Sequence, residues 1–364
     1  MSELLAGSPA ADWRAIDPED TLYMDLPSGR VIMELAPGYA PNHAANIRAL
    51  AREGYYDGAA IVRAQDNYVV QWSRTEESPR PIRTGHATLP AEFDRARGGA
   101  PAFAAIPDSD TYAPEVGFSA GFPAARDRER VWLAHCYGMV GAGRDLAADS
   151  GGGAELYVVI GQAPRHLDRN VTVVGRVLQG MELLSVMRRG TGDLGFYETP
   201  AERTPILRIR VAADLPEAER VHLEALRTDS ATFTALVESR RNRREDWFLH
   251  QVGHINLCNV PLAGPRAEVI RGRDGAAQPW QQADRTRAIP TPKQMISHSP
   301  GHDSRLFMGS SSADAKRTGA TAMPARAGRG GRETRRRTTT GGVPGWTVTG
   351  PGGIAALARR DAPS

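Results

Sequence analysis

Among the residues whose types could do chemistry are Arg63 and Gln71, with Tyr68 between them and Tyr157 far downstream. A guanidinium is a planar, permanently charged donor that can grip a carbonyl oxygen or a developing lone pair. A carboxamide beside it can orient the guanidinium or bond a peptide backbone. Alone, an arginine in a strand is more often a solvated edge or a structural ion pair. Tyr68 and Tyr157 serve almost equally well as plain core. Other constellations offer less. His135 and Cys136 are neighbours in an extended stretch, so they point to opposite faces and make a poor metal pair. Gly151–Gly153 is followed by a strand and not by Gly-Lys-Ser/Thr, so it is no phosphate loop. Cys136 and Cys258 cannot by themselves build a tetrahedral zinc site. A bridge between them needs a Cα approach that the sequence does not reveal, and two buried free thiols is the blander reading.

Such residues need a scaffold, and the chain supplies many strands. TLYMDL and RVIMEL, in residues 21–36, alternate apolar and polar side chains around Pro27-Ser28-Gly29, which reads as a hairpin. A helix over 41–53 opens with Pro41, stops at Gly54 and places Ala44, Ile47, Leu50 and Ala51 on one face. Strands are expected at 60–64 and 68–72. Residues 75–130 carry Pro, Gly and charge without a sustained period, and read as long loops with a short ordered piece near 89–93. Further strands are expected at 131–137, 155–160, 171–177 and 206–211, with a short helix over 181–187. This mixture points to a mainly β barrel and not to a doubly wound sheet. From Leu215 the pattern reads as helical, with stripes Val221/Leu223/Leu226 and Phe233/Leu236/Val237. The plan is an N-terminal segment 1–19, a barrel domain 20–214, a helical extension 215–262 and a tail 263–364.

The formal charge of +3 hides an asymmetry: residues 263–364 hold 17 Lys/Arg against 7 Asp/Glu, while the body is acidic. Leu, Ile, Val and Phe make up only 10 of those 102 residues, too few to offset the entropy of ordering, so the tail is expected to be disordered. The runs at 240–244 and 335–337 lack interleaved aromatics and read as solvated charge, with no nucleic-acid partner. No apolar run is long enough to span a membrane.

Three separated segments, in order, are similar to the cyclophilin-type peptidyl-prolyl cis/trans isomerases. GRVIMELAPGYAPNHAANIRALAREGYYDG resembles that family's opening hairpin and helix. IVRAQDNYVVQWSR resembles its active-site strand, with Arg63 at the catalytic Arg and Tyr68, Val69 and Gln71 at the Phe, Met and Gln places. GAELYVVIGQAPRHLDRNVTVVGRVLQGMELL follows the later pattern. There Glu155 takes a Gln place, Leu156 and Tyr157 two Phe places, and His166, Leu167 and Asn170 the Trp, Leu and His places. WLAHCYG supplies the remaining strand, with Cys136 and Tyr137. The resemblance spans about 20–212 and implies an eight-stranded antiparallel barrel capped by two helices. It implies Arg63 and Gln71 as catalytic residues and Tyr68, Val69, Tyr137, Glu155, Leu156, Tyr157, His166, Leu167 and Asn170 as substrate-binding residues. It also implies proline-containing polypeptides as partners, no cofactor or metal, and a monomer. The layout resembles exported bacterial members, implying the periplasm. Met1–Trp13 has no basic signal region, which implies the cytoplasm if the N-terminus is complete as written.

Departures from the pattern define two function classes. Val62 replaces a His beside the Arg, His166 replaces a Trp, and Tyr157 adds a hydroxyl that needs a partner. Glu155 puts a carboxylate at the rim, where it could pair with Arg63 or favour basic substrates. One class is an active isomerase with Arg63 in a solvent-open groove. The other is a module that holds proline-containing segments with little turnover.

Overall fold

The computed structural model describes residues 2–262 and Arg266–Ala267. The remainder of the tail, expected to be disordered, lies outside the described residues. In chain order the elements are α1 (Ser2–Ala6), β1 (Trp13–Ala15), β2 (Thr21–Leu26), β3 (Gly29–Leu35), α2 (Pro41–Arg52), β4 (Ala60–Ala64) and β5 (Val69–Ser73). Then come β6 (Arg95–Ala96), β7 (Phe103–Ala105), β8 (Glu115–Ser119), β9 (Phe122–Arg126), β10 (Arg130–Leu133), β11 (Met139–Ala142) and β12 (Leu156–Val159). The chain continues through β13 (Val173–Gln179), α3 (Met181–Ser185), β14 (Thr204–Pro205), β15 (Arg208–Val211), β16 (Leu223–Leu226), α4 (Ala231–Arg241) and β17 (Arg266–Ala267).

The main sheet runs β14-β4-β5-β12-β11-β13-β3-β2-β15, with antiparallel pairing throughout. Its two ends are consecutive pieces of one extended segment. Thr204 pairs with Ile61 of β4, and Arg208–Val211 pairs with β2. The sheet therefore closes on itself through that segment, giving the expected eight-stranded antiparallel barrel. Leu22, Met24, Val31, Met33 and Leu35 turn inward and meet Ala44, Ile47, Leu50 and Ala51 of α2. Apolar spacing alone fixes this helix face, and Pro41 at its first turn leaves no orphan N–H.

Two parts differ from the sequence expectation. Residues 95–126, expected as loops, carry four strands that join β10, expected as a strand from Val131, in a second sheet of order β6-β10-β9-β8-β7. The β8–β9 hairpin turns through Ala120 and Gly121, both with positive φ (51° and 92°). An Ala at such a turn lacks the usual Asn-Gly signature, and the strands are short, so the pattern hides among Pro and Gly. The turn is bolted to the barrel. Arg176 donates from Nη1 to the Gly121 carbonyl (2.7 Å) and from Nε to Glu34 (2.9 Å). Arg14 donates to the Ala120 carbonyl (3.2 Å) and pairs with Glu34 at 2.6 Å.

The extension is helical only at α4. Leu223–Leu226, expected in a helix, forms β16 and pairs antiparallel with β1. Leu223 and Ala225 lie with Tyr23 and Ile32, on the outer faces of β2 and β3, in one apolar cluster. A short apolar run reads as either element, and here the apolar side of an existing sheet decides it. Cys136 and Cys258 are joined in a disulfide with Cα atoms 5.0 Å apart, so the free-thiol reading is overturned. The bridge links the connection between β10 and β11 to the extension, whose Ile255, Leu257 and Val260 are buried.

The bridge spans a sequence separation of 122 residues. Closing a loop that long removes much unfolded-chain entropy, and loss of a native bridge typically costs about 2–5 kcal/mol. Urea titration with and without a dithiol reductant should show a stability loss of that size, matched by Cys258→Ser. Coincident titrations, with complete reduction verified by thiol counting, would contradict this.

Candidate active site

Four neighbouring strands place the key residues in one row. Arg63 of β4 pairs with Gln71 of β5, Gln71 pairs with Tyr157 of β12, and Tyr157 pairs with Gly141 of β11. The register shifts between Ile61 and Arg63, a local irregularity that re-aims the arginine. Directly opposed residues share a face of the sheet, so their side chains meet. Gly141 serves this row by having no side chain, because a Cβ there would collide with the Tyr157 ring.

The guanidinium of Arg63 is held on three sides. Nη1 donates to Oε1 of Gln71 at 3.0 Å and Nε to the Leu194 carbonyl at 2.7 Å. Nη2 donates to the Gln65 side chain. The rings of Tyr68 and Phe196 lie 5.5 and 5.2 Å from its centre. Gln71 passes the connection on, since its Nε2 donates to Glu155. Glu155 thus reaches Arg63 through Gln71 and not directly. Burial pushes the Arg63 pKa down, while Tyr68, Glu155 and Tyr157 push it back up.

The solvent-open setting expected for Arg63 does not hold, as its exposure is 2%. The segment after α3 is responsible. Phe196 bridges to Arg63 in antiparallel fashion, the Tyr197 N–H donates to the Val62 carbonyl, and the Gly190 N–H donates to the Ala64 carbonyl. Leu194 takes a left-handed conformation (φ 56°) where its carbonyl receives Nε. For a branched apolar residue this is strained backbone, retained because the surroundings over-determine it.

The other predicted residues divide into groups. Val69 and Tyr157 are buried in one apolar cluster, and Tyr68 and Leu167 pack against it. Tyr68 stacks on His166 at 5.8 Å and their polar tips approach to 3.3 Å. Tyr137 is 48% exposed beside the disulfide. Asn170 is exposed, and its amide bonds the carbonyls of His166 and Asp168 within its own turn. Leu156 is turned the other way and belongs to the barrel interior. Alternation along β12 requires this, because Tyr157 faces outward.

Sequence reasoning missed Gln65, Leu194, Phe196, His135 and Asp168. Gln65 was within reach, two positions from Arg63 on the same side of the strand. Nothing local marks Leu194 or Phe196, which arrive from a distant loop. The Tyr157 hydroxyl finds its partner in Nε2 of His135 at 2.8 Å, and Nδ1 of that ring lies 2.9 Å from Asp168. Burial drives the Tyr157 pKa well above the usual phenol range, so the hydroxyl keeps its proton. Burial works to raise Asp168, yet the hydrogen bond from His135 and the charge of Arg165 hold its carboxyl below the usual value. No group of three or more His, Cys, Asp or Glu among the described residues is placed to hold a metal ion.

Comparison with known proteins places these features in context. The family model for cyclophilin type peptidyl-prolyl cis-trans isomerase/CLD matches residues 21–211, more than half of the chain. A probable peptidyl-prolyl cis-trans isomerase of Brucella suis is 28% identical over 201 residues, 55% of this chain and 86% of the relative. Human peptidyl-prolyl cis-trans isomerase-like 1 is 24% identical over 214 residues, 58% of this chain and 99% of the relative. The crystal structure of cyclophilin AquaCyp293 from Hirschia baltica matches with a TM-score of 0.54 at 25% identity, covering 62% of this chain and 85% of that one.

Burial raises the Glu155 carboxyl above its ordinary value of 4.5, partly opposed by the hydrogen bond from Gln71. A carboxyl raised on folding adds stability that is complete below its unfolded pKa and is lost as pH rises through the folded one. The charged form therefore costs stability at neutral pH. Glu155→Gln keeps an oxygen to accept from Gln71 and removes the charge. It should melt higher than wild type at about pH 7, and the gap should close towards about pH 4. A melting point at or below that of wild type at neutral pH would refute this.

Proposed function

Because this chain belongs to the cyclophilin-type peptidyl-prolyl cis/trans isomerase family, we propose that it twists Xaa-Pro bonds of peptides and folding proteins, with Arg63 stabilising the twisted amide. The barrier it must lower is about 18–20 kcal/mol, set by the partial double-bond character of the amide. No covalent bond is made or broken. The enzyme needs to seat the proline ring, hold the flanking backbone and stabilise the twisted state, in which the prolyl nitrogen regains its lone pair.

The observation that carries this reading is the bonding of Arg63. Three of its donors are spent on Gln71, Gln65 and the Leu194 carbonyl, which fixes the plane of the guanidinium. A guanidinium has five N–H bonds, so two remain to grip a substrate carbonyl or approach the prolyl nitrogen. Gln71, itself anchored on Glu155, orients the arginine in advance, which is how electrostatic stabilisation becomes strong. Tyr68, Val69, Tyr157 and Leu167 line the proline pocket in this proposal. Tyr137, Glu155, His166 and Asn170 flank the peptide. One observation favours the slower, binding-module reading: at 2% exposure, Arg63 meets substrate only if the Leu194–Phe196 loop gives way.

Arg63→Lys keeps the charge and loses the fork. A donor acting on the twisted amide is worth roughly 2.7–4 kcal/mol, so kcat should fall about a hundred- to a thousandfold with little change in peptide affinity. The burial of Arg63 adds a second effect. Leaving the acceptors on Gln65, Gln71 and Leu194 short of donors should lower stability by about 1–3 kcal/mol. A coupled proline-peptide assay and thermal melting test both. Full activity in a folded Arg63→Lys protein would remove Arg63 from the mechanism. A wild type that binds proline peptides without turnover would establish the binding-module reading.

A further inference from the structure

A chain of buried polar groups runs from the second sheet's connecting loop to the candidate proline pocket, and isomerisation as described makes no use of it. Asp110 accepts from Nη2 and Nη1 of Arg165 at 2.9 and 3.0 Å. Nε of Arg165 donates to Oδ2 of Asp168 at 2.8 Å. Oδ1 of Asp168 faces the backbone N–H of His135 at 2.8 Å and its Nδ1 at 2.9 Å. Nε2 of His135 meets the Tyr157 hydroxyl at 2.8 Å, with the two rings nearly parallel. The side chains of Asp110, Arg165, Asp168 and His135 are all nearly inaccessible. Burying so many charges is costly unless every one is bonded.

For a neutral His135 ring the bonding fixes a direction. An ionised carboxylate only accepts, so the His135 nitrogen facing Asp168, Nδ1, carries the proton. In the neutral ring Nε2 is then an acceptor, and the partner facing it must donate. The Tyr157 hydroxyl therefore points its hydrogen at His135. Without that partner the hydroxyl could rotate and donate to whatever polar group enters the pocket. A second donor there would compete with Arg63 for the substrate carbonyl and hold the planar ground state as readily as the twisted one.

We propose that His135 is a positioning residue: locked by Asp168, it captures the Tyr157 hydroxyl hydrogen and leaves Arg63 as the donor the substrate carbonyl meets. The proposal rests on the isomerase reading above. Its chemistry also explains why a tyrosine is compatible with a pocket wall for an apolar ring. The phenol offers the pocket its ring and an oxygen whose hydrogen is already engaged.

Two measurements test it on the full-length protein. The first is 15N NMR of the histidine rings. The expected His135 signals are those of a ring protonated at Nδ1 and bare at Nε2, with the Nε2 signal moving in Tyr157→Phe. A ring protonated at Nε2 overturns the proposal. The second is a kinetic cycle with proline peptides. His135→Phe should lower kcat roughly tenfold, the size of one misdirected hydrogen bond, with KM unchanged or reduced. The same substitution in a Tyr157→Phe background should have no effect on kcat, because no hydroxyl remains to misdirect. Equal losses in both backgrounds mean that His135 acts only as structural support, and the proposal fails. If His135→Phe does not fold, the NMR signals of the wild type and of Tyr157→Phe decide alone. A wild type without isomerase activity removes the reading beneath the proposal, and the proposal with it. An active wild type with a failed cycle removes the proposal alone.

Discussion

The site depends on one constraint: a guanidinium withdrawn from water must find its hydrogen bonds within the protein. An isolated charge taken into a poorly polarisable interior is penalised by many kcal/mol, and only partners in good geometry offset this. Arg63 meets the demand with Gln71, Gln65 and a backbone carbonyl, and with two aromatic rings against its centre. Each partner has its own requirement. Gln71 needs Glu155 for its amide hydrogens, and Leu194 holds an unfavourable backbone conformation to present its oxygen. The arrangement immobilises the cation, and the same contacts close it off from solvent.

Strand register makes this arrangement specific. Arg63, Gln71, Tyr157 and Gly141 come from four segments of the chain and meet because four antiparallel strands pair in one register. A slip of one residue would send the whole row to the other face. Closure of the barrel by the last strand guards against such a slip, because every strand then has a partner on both sides. Apolar packing reinforces it. Leu156 inside and Tyr157 outside belong to different clusters, so neither can exchange places without losing its burial.

Much of this was legible in the sequence. The barrel strands follow from alternation, and α2 from its Pro41 start and its spaced apolar face. Arg63 and Gln71 stood out because IVRAQDNYVVQWSR resembles a family's active-site segment, whereas an arginine in a strand, taken alone, reads as structural. What could not be read depends on distant parts of the chain. Phe196 and Leu194 are ordinary loop residues until the loop lies on β4. Cys136 and Cys258 gave no sign of pairing because proximity is a property of the fold. Leu223–Leu226 became a strand because β1 was there to pair with, and short apolar runs yield to such tertiary demands. The second sheet, apart from β10, escaped notice because its strands are two to five residues long and the β8–β9 hairpin turns through Ala-Gly.

Among the described residues, that second sheet differs from the barrel in having two free edges, β6 and β7. Unpaired edges invite strands from other molecules and so set the aggregation behaviour of a protein. Here one edge is two residues long and the other three. The β6 edge also carries Arg95, whose guanidinium is tied to the carbonyls of Gly38 and Gly99. An incoming strand would find too few backbone groups to register against, and a charge at the point of entry. Among the described residues, the second sheet thus adds β-structure beside the barrel through edges that offer an incoming strand little to pair with.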